Sequence, residues 1–508
     1  MTPLAARPGD TLASVLLGHA ERTPDAPFLV FERAAGDVET ITYAAMAARM
    51  TGTAGALQRL GVRPGDRFHL HLTNRPEFYD AWFAAALLGA VMVPSNPLST
   101  VDELRHLIRH AGCTVSVTQT DLVSTVARAG AQSVVDVNQP WVRPDDGATV
   151  HPAAATDPLA VLYTSGTTSR PKGVLVTHAA YLHVGDVVAG HVRVRNDDRM
   201  LVVLPLFHGN AQYYSTMSAL VSGASIALAP RFSASRWSEQ AHLLDATVAS
   251  LFAAPIRMML AQQASRHDRA HRLRVTLFAQ NVSDEQHATF ERRFGVPLVQ
   301  LYGMTETVVP VTMNPLYERR RPVAIGRPVL SAELAVVGPE GAEVPAGVPG
   351  ELIVHGQPGR TMMAGYLHDP SATAAAVQDG WLHTGDSVCR DDDGYLYFVD
   401  RSKDMIKRAG ENVASGEVER VVNEHPAVFE CAAVGVPDPL RDEAIHVFVV
   451  LKQGTTALPE DILAHCREHL ARFKVPDVVE IVPELPRTSV GKIQKHLLRS
   501  TAITGGAR

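Results

Sequence analysis

The ten residues Thr164-Ser165-Gly166-Thr167-Thr168-Ser169-Arg170-Pro171-Lys172-Gly173 constrain this chain more than any other stretch. An apolar, strand-like segment precedes them (Leu159 to Tyr163) and another comes after them (Val174 to Val176). Hydroxyls, a glycine and a lysine between two strands form a cradle of N–H, O–H and ammonium donors, which suits a polyphosphate anion. In the common P-loop the lysine is followed by Ser or Thr and then a helix. Here Lys172 runs into Gly173 and a strand, so the unit reads strand–loop–strand. Taken alone, such a loop is as readily an ordinary surface hairpin. Its weight comes from the motifs further along the chain.

A chain of 508 residues is too long for one core and predicts two or more domains. Its 46% hydrophobic and 20% charged content fits a soluble globular enzyme. A net charge of −6 argues against a nucleic-acid binder, which would show a basic face or stripe. No run of about 18 apolar residues occurs, so no membrane span is expected. Met1 to Pro8 lacks the charged start and apolar centre of a secretion leader. Cys113, Cys389, Cys431 and Cys466 have no paired spacing, which indicates neither a zinc site nor a disulfide framework and fits a reducing cytoplasm.

Residues 11–130 alternate helical and strand patterns. Ala44 to Leu60 is helical and ended by Gly61, Phe68 to Leu72 is a strand, Pro76 to Leu88 is a helix ended by Gly89, and Val91 to Pro94 is a buried strand. The rhythm recurs over 155–300 and predicts parallel sheets covered on both faces, an α/β fold. Residues 320–400 are rich in strands and turns and predict a small β-barrel-like subdomain. After Asp400 the pattern is α plus β. Helices are expected over Glu417 to His425, over Pro459 to Phe473 and after Gly491, and strands over Ala432 to Val436, His446 to Leu451 and Val478 to Val482. The boundary falls close to 400, giving domains of 1–400 and 401–508.

Four further motifs come after the loop in order. Tyr302-Gly303-Met304-Thr305-Glu306-Thr307 succeeds the strand Pro297 to Leu301 and offers a glycine, a hydroxyl and an oxygen ligand for Mg²⁺. Gly380-Trp381-Leu382-His383-Thr384-Gly385-Asp386 places an Asp in a tight turn, where it can accept from two vicinal hydroxyls. Next comes Asp400-Arg401-Ser402-Lys403-Asp404-Met405-Ile406-Lys407-Arg408-Ala409-Gly410, which leads to Glu417-Val418-Glu419. The last is Pro486-Arg487-Thr488-Ser489-Val490-Gly491-Lys492-Ile493.

Together these motifs resemble the adenylate-forming superfamily of acyl-CoA synthetases, peptide-synthetase adenylation domains and luciferases, over nearly the whole chain. Gly350-Glu351-Leu352 and Gly365-Tyr366, in the barrel-like region, belong to the likeness. Thr167 to Lys172, Met405 to Arg408 and Arg441-Asp442-Glu443-Ala444-Ile445 are similar to the crotonobetaine/carnitine-CoA ligase branch. The resemblance implies a large N-terminal domain, a small mobile C-terminal domain and two half-reactions. A carboxylate attacks the α-phosphate of ATP to give acyl-AMP and pyrophosphate, and a thiol, usually of coenzyme A, then displaces AMP. It also implies roles by position. Thr164, Ser165, Gly166, Thr167, Thr168 and Lys172 would wrap the β- and γ-phosphates. Tyr302 and Gly303 would border the nucleotide, Thr305 would bond the α-phosphate and Glu306 would hold Mg²⁺. Asp386 would take the ribose hydroxyls beside Arg401, with Lys407 also on the cofactor side. Lys492 would bridge carboxylate and α-phosphate, Lys403 would be the hinge, and Gly410 would line the pantetheine tunnel. His208, in Pro205-Leu206-Phe207-His208-Gly209-Asn210, would stand against the acyl pocket.

Plainer readings exist for each: Lys492 as a solvated lysine, Asp386 as a turn-former, Glu306 as a helix cap, His208 as a packed core histidine. The ordered motifs favour chemistry. Phe278-Ala279-Gln280-Asn281 departs from the Gly-Gly-Ala-Pro of most relatives, which puts two side chains where adenine or the acid would lie flat. Ser169 replaces a glycine, and Ser415 a proline. Phe207, Gly209, Ala211, Gln212, Tyr213, Phe278, Gln280 and Met304 are the expected pocket lining, and small residues beside aromatics suggest a medium or bulky apolar acid. The partners expected are therefore a small-molecule carboxylic acid, ATP, Mg²⁺ and coenzyme A, with no nucleic acid and with a homodimer left open. Two alternatives remain at this level: an adenylating enzyme that loads a carrier protein, and an enzyme that forms only the thioester from preformed acyl-AMP.

Overall fold

Strand alternation along the first 380 residues produces two sheets whose strands are mainly parallel. The computed structural model describes residues 9–143, 146–164, 171–401, 404–408, 411–438, 442–487 and 493–505. One sheet has seven strands, in the spatial order Gly365–Tyr366, Lys172–Thr177, Pro158–Thr164, Val91–Pro94, Arg67–His71, Val115–Thr118 and Ser133–Asp136. The last five run parallel, and the first two join antiparallel at one edge. The nine-stranded sheet has a parallel centre: Leu298–Tyr302, Val275–Ala279, Val248–Phe252, Arg199–Val202, Ser225–Leu228 and Pro27–Ala34. Antiparallel strands close both of its edges.

The helix Pro76–Leu88 forms residue for residue where expected, with Pro76 at its first position and Gly89 left-handed (φ 66°) at its end. Every residue of it but Glu77 is buried. Phe28, from the nine-stranded sheet, meets Tyr79 and Phe83 edge-on at 5.9 and 5.6 Å, and Trp82 meets Tyr181 of the helix His178–Val192 at 5.2 Å. A helix enclosed in this way has no use for a polar face. By packing, the described residues divide into two compact units: the first holds those up to 333 and 354–382, the second those of 334–353 and 383–505. The strand-rich stretch forms an antiparallel sheet of Glu333–Val337, Gly350–His355, Val377–Gln378, Trp381–Arg390 and Leu396–Arg401.

Gly365–Tyr366 does not join that sheet, contrary to its place in the sequence. It pairs with Lys172–Thr177, Tyr366 opposite Val174. In the second unit, Ile406–Arg408, Glu411–Val413, Asp442–Leu451, Val428–Asp438 and Val478–Ile481 form one sheet. Alternate side chains feed two cores. Cys431, Ala433, Val447 and Val449 meet the helices Ser415–Glu424 and Pro459–His469, while Ala432, Val434 and Phe448 meet Leu498 and Ala502 of Lys495–Gly505. The helix expected to reach Phe473 stops at His469. Leu470 turns extended, and a short turn over Arg472–Lys474 brings the Lys474 ammonium to the Glu417 carboxylate at 2.7 Å.

Candidate functional site

The strands that flank the phosphate loop pair antiparallel up to Thr164 opposite Lys172, so both residues stand at the loop's mouth. Ser165, Gly166, Thr167 and Thr168 lie outside the described residues. The Lys172 ammonium lies 4.8 Å from the centroid of the Tyr366 ring. The Tyr366 hydroxyl donates to Glu306 Oε1 at 3.1 Å. Burial, and then the Glu306 carboxylate, push the Tyr366 phenol upward, so it stays protonated and donating. The backbone locks this arrangement: Leu367 N–H donates to Gly173 at 2.7 Å, and Met363 N–H donates to the Glu306 carbonyl at 2.9 Å. Lys172, Tyr366 and Glu306 are distant in sequence and form one group in space. Tyr366 has no role assigned by motif, and its only signal in the sequence is the Gly-Tyr pair.

Tyr302 ends the strand Leu298–Tyr302, and Thr305 to Thr307 form the turn beyond it. The Thr307 hydroxyl accepts from Met304 N–H at 3.0 Å and donates to the Val309 carbonyl at 2.8 Å, which holds the turn closed. Glu306 is buried. A Cβ on Gly303 would stand 2.9 Å from the Tyr214 hydroxyl and from the Val309 carbonyl. The close approach that this glycine permits is thus one between protein atoms.

The residues after Val202 include those expected from the sequence to stand on the acyl side. His208 Nδ1 accepts from Asn210 N–H at 3.2 Å, which leaves the ring proton on Nε2, and the ring stands edge-on to Phe252 at 5.2 Å. Asn210–Met217 is a π-helix, a form no sequence pattern suggested. Within it Gln212 is fully buried and committed: its Oε1 accepts from Tyr181 at 2.5 Å and its Nε2 donates to the Leu206 carbonyl at 2.7 Å. The space beside Gly209 is filled by the Tyr213 ring, 2.8 Å from where a Cβ would stand. Phe207 and Met304 are half-buried, and Ala211 and Tyr213 are buried.

Phe278 requires a correction. It is fully buried, and its ring lies 6.3 Å from His287 of the helix Asp284–Phe294. In register it shares a face with Leu251, whereas Phe252, which meets His208, shares the opposite face with Ala279. Phe278 therefore packs between sheet and helix and does not line the pocket beside His208. Gln280 takes a left-handed φ of 74°, and its carbonyl accepts from Gln300 Nε2 at 2.9 Å. The departure from Gly-Gly-Ala-Pro is thus absorbed partly by the core and partly by a tethered turn.

In the second unit Asp386 is buried within the strand Trp381–Arg390, opposite Arg401 in register. Gly385, left-handed at φ 68°, lets its N–H reach Glu351 Oε1 at 3.0 Å, and the Thr384 hydroxyl donates to the Leu352 carbonyl at 2.6 Å. The Gly350-Glu351-Leu352 motif is thus the mount for Thr384-Gly385-Asp386. Lys407 is exposed on its strand, and its N–H donates to Glu443 at 2.8 Å. Lys403, Gly410 and Lys492 lie outside the described residues.

At the loop mouth an ammonium, a carboxylate and a phenol converge on a strand edge that leads into a donor-rich loop. This is chemistry for an anion that carries a hard cation. The family described as AMP-binding enzyme matches residues 17–367, and the AMP-binding enzyme C-terminal domain matches 417–492. A crotonobetaine/carnitine–CoA ligase of Salmonella agona is 37% identical over 94% of this chain and 96% of its own length. An anthranilate CoA ligase solved with anthranoyl-AMP superposes with a TM-score of 0.91 at 26% identity, covering 100% of both chains. The o-succinylbenzoate CoA synthetase of Bacillus subtilis, solved with its acyl-adenylate intermediate, gives 0.86 at 27% identity, over 96% of this chain and 97% of that one. The chain belongs to the AMP-binding, adenylate-forming enzyme family and is an AMP-forming acyl-CoA ligase.

Proposed function

We propose that this ligase works through the residues assigned by motif, with Lys172, Tyr366 and Glu306 as its phosphate-side anchor. The observation that carries this is the Lys172–Tyr366–Glu306 arrangement, with an ammonium 4.8 Å from the ring and a phenol 3.1 Å from the carboxylate. In the first half-reaction an oxygen of the acid attacks the α-phosphorus of ATP and the bond to pyrophosphate breaks. Lys172 takes charge on the outer phosphates, Thr305 donates to the α-phosphate, and Lys492 clamps the attacking carboxylate against it. In the second, the thiol of coenzyme A attacks the acyl carbonyl, AMP leaves, and Gly410 leaves the tunnel open.

Mg²⁺ fits the residues present. Among the described residues no group of three His, Cys, Asp or Glu could hold a metal by itself. Glu306 is a single buried carboxylate with hard oxygens, the kind of protein ligand that Mg²⁺ uses together with substrate phosphates. When bound, the ion would neutralise phosphate charge.

The C-terminal lobe would begin close to residue 400 and turn at Lys403. The acid would be medium or bulky and apolar, with His208 at its side. Work in the cytoplasm completes this reading, with a homodimer left open. A mass-spectrometric screen with ATP, Mg²⁺, coenzyme A and a panel of acids tests it, with adenylates scored separately from thioesters. Crotonobetaine, carnitine, anthranilate, o-succinylbenzoate, benzoate, acetate and malonate belong on the panel. Adenylate and thioester from one bulky acid are expected, and preference for acetate or malonate would sink the pocket reading. Thioester only with an added carrier protein would favour the carrier-loading alternative. The thioester-only alternative loses its main motive, since Phe278 packs into the core.

A further inference from the structure

A charged cavity of about 240 Å³ lies at one end of the nine-stranded sheet, opposite the strand ends that carry Phe252, Ala279 and Tyr302. Asp198 precedes the strand Arg199–Val202, Thr247 precedes Val248–Phe252, and Arg274 precedes Val275–Ala279. These three strands are neighbours and run parallel, so the cavity sits at their N-terminal ends. Parallel sheets hold their reactants beyond the C-terminal ends. A five-residue strand spans about 16 Å, so this cavity is separate from the acyl side.

Four arginines line it, Arg193, Arg195, Arg272 and Arg274, against two aspartates, Asp197 and Asp198. Arg274 is spent inside the protein. Its guanidinium grips both oxygens of Asp198, at 2.9 and 2.7 Å, and donates to the Val192 and Arg193 carbonyls at 2.8 and 3.1 Å. Asp198 also accepts from the Thr247 hydroxyl at 2.6 Å and from Arg195 N–H at 2.8 Å. These bonds fix the backbone that carries Arg193 and Arg195. The other three arginines are exposed. Arg193 lies over the Tyr317 ring at 4.6 Å, and Glu318, next to that ring in sequence, is taken by Arg327 at 3.1 Å. The Arg195 guanidinium has no partner among the described residues. Arg272 pairs with Asp245 at 2.9 Å, but with side chains 67% and 49% exposed that pair is weak, and an anion can share the guanidinium.

With Asp245 counted, the lining keeps one positive charge in excess, in a chain whose net charge is −6. Arg199 adds another, since it bonds only neutral acceptors, the Ser225 hydroxyl and the Leu244 carbonyl, each at 2.9 Å. Burial depresses its pKa, and Arg272 adds to this against the pull of Asp245. Arg193 also takes a left-handed φ of 50° at the end of the helix His178–Val192, where glycine is usual. Cations gathered in this way repel one another until an anion joins them.

We propose that this cavity is a binding site for a phosphate group, presented by inorganic pyrophosphate or by the phosphate end of a nucleotide or coenzyme A. Guanidinium forks match phosphate oxygens in pairs. The volume suits a phosphate or diphosphate, since enclosing a larger organic ligand takes about 300 Å³ or more. A nucleotide or coenzyme A would insert one phosphate and leave its remainder outside. The site is independent of the two half-reactions.

Hydrogen–deuterium exchange of the full chain locates the anion without recourse to catalysis. Pyrophosphate, orthophosphate, ATP and coenzyme A are titrated separately, each against KCl of equal ionic strength. The segments 192–199 and 272–274 should gain about threefold protection or more with a phosphate ligand, and none with KCl. Replacing Arg195→Ala and Arg272→Ala together should raise the half-saturating concentration about tenfold or more. Both side chains are exposed, so the double variant keeps its core, and any response of the turn Thr305 to Thr307 should stay as in wild type. Protection by pyrophosphate assigns a free anion, and protection by ATP or coenzyme A alone assigns the phosphate of a larger ligand. Equal protection by KCl, a response confined to Thr305 to Thr307, no protection of either segment, or a double variant that binds as wild type would overturn the site.

Discussion

Lys172 and Lys495 are both lysines beside a glutamate, yet they are built on opposite plans. At Lys172 the ammonium lies over the Tyr366 ring, and the nearby carboxylate, Glu306, is bonded to the phenol. At Lys495 the ammonium bonds directly to Glu419 and Ser415, with the two ion-pair side chains only 17% and 22% exposed. The first lysine lies against a ring at the end of the strand that leaves the loop, where the proposed function has it meet a phosphate. The second is neutralised inside the protein. The proposed ligand-binding cation and the structural one thus differ in the group that each meets first, and residue type and motif do not show this.

That contrast can be broken from either side, beginning with the largest effect. On the proposed role of Lys492, Lys492→Ala should cut pyrophosphate exchange by about 10³-fold with the urea midpoint unchanged. Undiminished exchange would remove the electrostatic clamp from the reaction. Glu306→Gln should cost about 10²-fold in exchange, partly restored by raised Mg²⁺, and again with little change in stability. On the other side, Lys495→Met should cost stability, about 2 kcal/mol by urea denaturation. That is below the usual figure for a fully buried pair, because solvent reaches part of this one. Replacing Glu419 by Leu as well should restore much of the loss, and failure to do so would mean that the pair is not self-contained.

A buried polar network in the first unit sharpens the comparison with the smallest effect per group. His69 bonds Ser116 and Ser95 at 3.1 and 2.7 Å, and His71 bonds Ser95 at 2.7 Å. Burial pulls His69 down to about 3, helped by His71, and pulls His71 down to about 4 against the opposing pull of Asp121. Burial likewise lowers His178 to about 4. These groups are neutral when folded and bind protons more readily when unfolded. Their contribution is full above pH ~6.5 and is lost as the pH falls towards ~4. From pH 7 to pH 5.5 each should remove about 1 kcal/mol of stability, and a flat urea midpoint over that range would contradict the burial.

Much of this protein was legible beforehand because local rules and global packing agree. The helix Pro76–Leu88 announced itself through a proline at the start, a glycine at the end and the apolar run from Ala81 to Leu88. The loop from Thr164 to Lys172 could be placed between two strands because short apolar segments flank it. The π-helix Asn210–Met217 could not be read, since its period belongs to no amphipathic template. Phe278 was misplaced because alternation along a strand says which residues share a face, and not which face meets the ligand. Tyr366 went unassigned because its strand crosses from the strand-rich stretch to the edge of the other sheet.

The order of residues alone determined that the chain is an adenylate-forming enzyme, because five motifs in fixed succession carry the donors, the carboxylates and the lysines of that chemistry. Tertiary structure decided which of those charges remain available and which are spent inside the protein. It placed Tyr366 between Lys172 and Glu306, and it set Asp400 at the start of a helix that lies fifteen residues further along. The physical reason is that a charge is defined by its nearest counter-charge, and that distance is set by packing between segments far apart in the chain.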